Sequence, residues 1–364
     1  MNRLIIVGNG FDLAHGLKTS YCDFIENYIN NVFSSFEASG DYEDSLLHLR
    51  QPYRGASTRI PRSIGDSVYD IIRWLINNKK YDFKIKSVFF IDTVFKAGEM
   101  RWVDLENEYF EHLTKLIDKL TPRTGYTSII ELNNQFTFLK STLDDYLQTV
   151  NIKSFKPSEK ILSLFNLDVD RNHIVLPTSN FTLRNKLFLN FNYTDTLNQY
   201  IGKTHWYSRD VREWVDTQDT IIHIHGELGS IDNPIVFGFG DEYDEHYQKF
   251  ESHKNNSLFT HIKSFAYFKT RNYHNLVRYI DSEEFEVFVV GHSCGLSDRT
   301  MFREIFEHNN CKSIKIFYYE RPDGSTDFTE KTFEIARHFS DKGVMRKKIN
   351  SEPNSLPLPQ YVMS

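Results

Sequence analysis

Cysteine is scarce in this chain: Cys22, Cys294 and Cys311 are the only three in 364 residues, widely separated and odd in number. There is no C-x-x-C pair and no cysteine–histidine spacing of a zinc site, so neither a disulfide framework nor a zinc module is expected to organise the fold. That usage fits a reducing compartment, and a cytoplasmic location is expected. Long apolar runs are also missing. The first, Leu4 to Val7, is much shorter than the apolar segment of a secretory signal, and polar Asn9 and Asp12 follow at once. Nowhere do about 18 apolar residues run together, so no membrane-spanning helix is predicted. An excess of positive charge is missing as well. With 43 Lys and Arg against 49 Asp and Glu, the net charge is −6. A broad nucleic-acid surface wants a basic face, so nucleic acid is not an expected partner. What is plentiful is aromatic: 30 Phe and 20 Tyr, read as a Phe-rich core.

The chain is long enough to bury one large domain or one and a half. Arg3-Leu4-Ile5-Ile6-Val7 is a short continuous apolar run ended by glycine, as suits a strand buried on both faces of a parallel sheet. After the turn, Tyr21, Phe24, Ile25, Tyr28 and Ile29 recur at helical spacing. Residues 31–185 read as mainly helical, with stripes over Ile71–Ile76, Trp102–Leu120 (closed by Pro122) and Ile129–Leu147. Lys84 to Val94 fits a strand or a helix. Beyond residue 185, strands are predicted at Lys186–Asn192, Thr220–His225, Pro234–Phe237, Phe285–Gly291 and Ser313–Tyr319. Tyr247 to Ile280 is predicted helical, with a break around Ser252–Ser257. Strands alternating with helices imply parallel βαβ units. The expected fold is therefore α/β: a Rossmann-like, doubly wound parallel sheet from residues 1–30 and 186–335, with 31–185 as a large helical insertion. Residues 341–364, with three prolines and a basic run, are predicted to be a loose tail.

Four segments carry the chemistry. Gly8-Asn9-Gly10-Phe11-Asp12 follows the first strand directly; two glycines let the backbone approach an anion, and a following helix would offer free N–H groups. Leu13 breaks the G-x-G-x-x-G spacing of a dehydrogenase. Thr19 and Tyr21 lie just beyond and could add hydroxyl contacts, while Ser20 could be a plain helix cap. Asn192 and Asp195 stand at the carboxyl end of a predicted strand, where open α/β sheets bind ligands, and suit ribose hydroxyls. In His223-Ile224-His225-Gly226 the alternation puts both histidines on one face unless the strand bends, and His225 ends the strand where an acid/base group belongs. No third ligand follows at useful spacing, so no metal is expected. Gly291-His292-Ser293-Cys294-Gly295 has the outline of a nucleophile elbow, but the later histidines, His308 and His338, do not complete a triad in the usual order. A nucleotide-contacting turn is the more economical reading, with Asp298 capping the next helix. A fifth segment, Asp104 to Glu106, reads as a solvated face.

Taken together, GNGFDLAHGLKTSYCDF at 8–24, WVDLE at 102–106, FNYTDTL at 191–197, HIHGELG at 223–229, IVFGFGDE at 235–242 and VVGHSCGLSD at 289–298 resemble, in order, the AbiH family of bacterial abortive-infection proteins. The same landmarks are similar in style to sirtuin-type NAD-binding domains, although Asn192 and Asp195 are three apart rather than two and the zinc module is absent. The resemblance implies a sirtuin-like pocket taking NAD as substrate or ligand. Asn192 would orient the ribose and His225 would act as base. Gly8, Asn9, Gly10, Phe11, Asp12, Thr19, Tyr21, Asp195, Gly291, His292, Ser293 and Asp298 would line the nucleotide, and Glu106 is a further candidate. The implied activity is NAD(P) hydrolysis at the nicotinamide–ribose bond, in phage defence. A nucleotide, a phage-derived trigger and further copies of the chain are the implied partners, with no membrane. Two alternatives stay open: a non-catalytic sensor of nucleotide or ADP-ribose, and a metal-dependent nuclease toxin using Glu106, Asp12 and His225.

Overall fold

In the computed structural model the described residues are 1–53, 55–61, 67–78, 81–96, 102–119, 127–150, 156–202, 205–208, 213–216 and 218–360. Pro122, predicted to close a helix, lies outside them. The strands among the described residues are β1 (Asn2–Val7), β2 (Asp41–Glu43), β3 (Leu47–Arg50), β4 (Asp82–Ile85), β5 (Asn185–Asn190), β6 (His205–Ser208), β7 (Glu213–Asp216), β8 (Gln218–His223), β9 (Phe285–Val290), β10 (Cys311–Tyr318) and β11 (Leu356–Pro357). The chain divides into two compact units: Met1–Lys18 with Val150–Gln248 and Ile262–Ser364, and Thr19–Thr149 with Lys249–His261.

The first unit is built on a six-stranded sheet in the order β11-β10-β9-β1-β5-β8, parallel throughout. It is an α/β architecture compatible with a Rossmann-like fold. Every residue of β1 is buried, which is why its run is apolar without alternation. Leu4 and Ile6 join Leu187, Leu189, Val287 and Val289 in one core, roofed by the helices Asn272–Ser282, Arg299–Glu307 and Phe328–Ala336. Ile5 and Val7 join Phe188, Phe288, Val290 and Phe317 on the opposite face, under Glu159–Phe165 and the short helix Asn9–Ala14. Each such fully buried side chain contributes about 1.5–3 kcal/mol. β1 lies between β5 and β9, and the winding of the chain reverses there. Open α/β sheets take their ligands beyond the carboxyl ends of the strands at such a reversal.

Two expectations need correction, and a third, a mainly helical middle, is filled in. Pro234–Phe237 is not a strand: Pro234 has no N–H to give a ladder, and Val236 N instead donates to His225 O at 2.6 Å in a turn. The described part of the tail is not loose. Lys342–Lys348 is helical, β11 pairs with β10, and buried Lys348 Nζ donates to Phe306 O and His308 O, both at 2.8 Å. Finally, the middle of the chain is not helix alone. The second unit carries the antiparallel sheet β2-β3-β4 beside its helices Tyr21–Ser39, Val68–Asn77, Val88–Lys96, Trp102–Asp118 and Thr127–Thr149. The segment Lys84–Val94 proves to be both kinds of structure, with β4 ending at Ile85 and a helix beginning at Val88. No described helix is long and apolar enough to cross a membrane.

Candidate functional site

The glycine turns come together, but to pack against each other. Gly10 N donates to Gly291 O at 2.7 Å, and Gly8 N continues the ladder to Val290 O at 3.1 Å. A Cβ on Gly10 would lie 2.7 Å from Gly291 O, and one on Gly291 would lie 2.2 Å from Phe11 N. Gly291 also has φ +66°, a backbone region that side chains disfavour. The two loops touch backbone to backbone, and only glycine permits it. This corrects the reading of the first turn as a phosphate cradle: the Gly8 and Gly10 amides are already bonded, and the helix that follows has only six residues. Phe11 is fully buried in the core, its ring against His15, Phe165 and Tyr200. Asn9 opens the helix, half-buried.

Beside that seam stands a buried polar group that was only half visible in the sequence. His225, just past the end of β8, has its Nε2 3.0 Å from Asp298 Oδ1 and 3.3 Å from the Tyr267 hydroxyl. Lys263 Nζ donates to the same Asp298 oxygen at 2.9 Å. An ionised carboxylate only accepts, so Nε2 carries the imidazole proton and Nδ1 keeps a lone pair. His225 Nδ1 makes no hydrogen bond among the described residues. Burial lowers the His225 pKa, with Asp298 pulling the other way and Lys263 adding to the fall, so the ring is a neutral base at pH 7. Burial disfavours a charged Asp298, but Lys263 and His225 overcome it and hold the carboxyl far below its ordinary range. Asp298 therefore does not cap the following helix, as expected from its position; its side chain makes no cap bond there.

The rings around His225 come from the segment after β5 and from the short helix Lys263–Tyr267. Phe191 meets it edge-on at 4.8 Å, and Tyr193 and Tyr267 lie parallel at 6.3 and 6.4 Å. His292 packs on Phe191 at 4.3 Å and accepts from Cys294 N at 2.9 Å; burial takes its pKa down to about 3, so it stays neutral. In the Gly291–Gly295 loop the non-glycine residue in the left-handed region is Cys294, with φ 53°, rather than half-buried Ser293. Ser293 makes no hydrogen bond to a histidine among the described residues, so the elbow has no base. His223 does not share a face with His225. The strand ends at His223 and turns at Gly226, leaving His223 Nδ1 to accept from Asn190 Nδ2 at 3.2 Å.

Asp12 and Asn192 meet at the ends of β1 and β5. Asp12 is 1% exposed, and its Oδ2 accepts from Thr194 Oγ1 at 2.6 Å; Thr196 donates to Thr194 in turn at 3.1 Å. Burial raises the Asp12 pKa to about 6, restrained by Thr194, Thr196 and Asn192. Asp12 Oδ1 and Asn192 Nδ2 are both buried without a hydrogen-bond partner. Asp195, by contrast, is exposed.

The remaining candidates belong to the second unit. Thr19 and Tyr21 are buried there, flanking Ser20, which forms a capping box with Asp23 on the helix Tyr21–Ser39. Glu106 is 4% exposed on Trp102–Asp118, not on a solvated face. The same helix provides Glu108 and His112. With Asp92 they offer three atoms within 4.8 Å of one another, a spacing a cation could use. Lys263 and Tyr267 went unpredicted, since nothing local in sequence ties them to His225, 38 and 42 residues away.

A family model described as Bacteriophage abortive infection AbiH matches residues 4–320 of the chain. Among curated proteins, none matches it.

Proposed function

The chain belongs to the AbiH family, which associates it with bacteriophage abortive infection, and from that premise we propose that it hydrolyses NAD(P) at the nicotinamide–ribose bond, in a sirtuin-like pocket at the carboxyl ends of β1, β5, β8 and β9. The observation that carries this reading is the orientation of His225. Asp298 fixes the proton on Nε2, and the ring presents an unprotonated Nδ1 at a strand end.

The proposed step is balanced simply. Water attacks C1′ of the nicotinamide ribose as the C1′–N bond breaks, and nicotinamide leaves with the bonding pair. The water proton passes to His225 Nδ1 and then to solvent, giving ADP-ribose, nicotinamide and one proton. The transition state is oxocarbenium-like, as in glycoside hydrolysis. Asn192 orients the ribose, and binding elsewhere on the dinucleotide positions the reacting carbon.

The test is incubation of the protein with NAD or NADP, alone and with extract from phage-infected cells, followed by chromatography. Nicotinamide and ADP-ribose (or its phosphate) should appear in equal amounts, and H225N should lower the rate about 10²–10⁴-fold. Stabilisation by NAD without turnover would replace the enzyme with a sensor. Metal-dependent cleavage of nucleic acid, lost in E106A, would favour the nuclease.

A further inference from the structure

Buried polar atoms nearly always find a partner, and an unsatisfied one costs about 1–3 kcal/mol. The paired orphans at the ends of β1 and β5 are thus a feature to explain. Asp12 Oδ1 is an acceptor and Asn192 Nδ2 is a donor, and Asn192 lies near enough to help restrain the Asp12 pKa. One hydroxyl group satisfies both, donating to the carboxylate and accepting from the amide. Their other contacts fix them in place: Thr194 holds Asp12 Oδ2, and Asn192 N donates to Asn190 Oδ1 at 3.1 Å. Asn192 also sits between Phe191 and Tyr193, both of which face the His225 ring.

We propose that Asp12 and Asn192 form a clamp for the 2′-hydroxyl of the nicotinamide ribose, which makes Asp12 a substrate-binding residue of this pocket. The clamp rests on the reading of the pocket as an NAD site. It predicts selection against substrates lacking the 2′-hydroxyl, because the carboxylate would then be left without its donor. Hydrogen bonds to a charged group are strong, so the preference should be about tenfold or more. It should also grow with pH, because the ionised carboxylate is the better acceptor.

The experiment compares binding of NAD and of NAD lacking the 2′-hydroxyl on its nicotinamide ribose, by calorimetry between pH 5 and 7.5. The wild-type protein should prefer NAD by about tenfold at pH 7.5 and less at pH 5. D12N, which keeps the shape of the side chain, should bind the two alike, with a melting temperature near that of wild type. Equal binding of both ligands by wild type would overturn the clamp and leave the orphan atoms to a buried water; so would a D12N variant that discriminates as wild type does. Because the wild-type comparison needs no variant, a D12N protein that fails to fold leaves the clamp still testable. Discriminating binding without nicotinamide release keeps the clamp and defeats hydrolysis. Hydrolysis of both ligands at equal rate and affinity does the reverse. Binding of neither defeats both.

Discussion

The sharpest consequence of the His225 group concerns Lys263. Two cations, or one cation and a neutral ring, could sit on Asp298. Burial keeps the imidazole neutral, and the Lys263 ammonium, which balances the carboxylate, adds to the effect. Both Lys263 Nζ and His225 Nε2 bond the same oxygen, at 2.9 and 3.0 Å. They therefore stand within about 6 Å of each other. At an effective dielectric of about 20, their mutual repulsion is about 3 kcal/mol, or about two pKa units on the histidine. Replacing Lys263 with Met keeps the length of the side chain and removes its charge. Asp298 is then balanced only if His225 takes up a proton, so the imidazole pKa should rise by about two. The assay is an NMR titration of isotope-labelled histidine, with H225Q to assign the resonance. In wild type His225 should titrate below the ordinary imidazole range, while in K263M its titration should move up by about two. An unmoved titration would mean that Asp298 itself takes the proton, and the assignment of His225 as a base set by Asp298 would fail.

Other perturbations follow from the same geometry. G291A adds a Cβ against the Phe11 backbone at a left-handed φ and should destabilise the protein by several kcal/mol, read as a large fall in melting temperature. The Asp12 pKa of about 6 lies above its unfolded value near 4, so the native state binds more protons between these two. The Asp12 contribution to stability should therefore decline from about pH 4 to 6, and denaturant titrations of D12N should lack that decline. Lys186 shows the opposite linkage: burial, against the pull of Asp219, lowers its pKa to about 8, so stability should rise with pH between about 8 and 10, and K186M should flatten the rise. Ending the chain at residue 340 removes β11 and Lys348 from the sheet edge and should produce a less stable protein by thermal melting, where a loose tail would leave it unchanged.

The sheet could be read from the sequence because a strand buried on both faces leaves an unbroken apolar run. β1 and β5 show one, β8, β9 and β10 show shorter or interrupted ones, and the predicted strands are displaced at most two residues at either end. The small sheet was illegible for the converse reason: Asp41–Glu43 and Leu47–Arg50 are short and polar in part, with too few residues to display a period. Site positions such as Asn192 and His225 were visible because they terminate strands. Their roles depended on partners that adjacency does not reveal. Asp298 stands where a helix cap should stand, and only its contact with a histidine 73 residues earlier shows its use. The first glycine turn likewise had the outline of an anion cradle; its amides were satisfied by a loop some 280 residues later.

The central place of β1 also bears on how the molecule comes into being. Its partner on one side begins at Asn185, and the partner on the other begins at Phe285. A ribosome adding about 5–20 residues each second makes β1 wait roughly 10–40 s for its first neighbour, and longer for its second. The strand on which the pocket depends is thus synthesised well before either of the neighbours that shelter it. Its apolar face is a natural client for a chaperone throughout that interval.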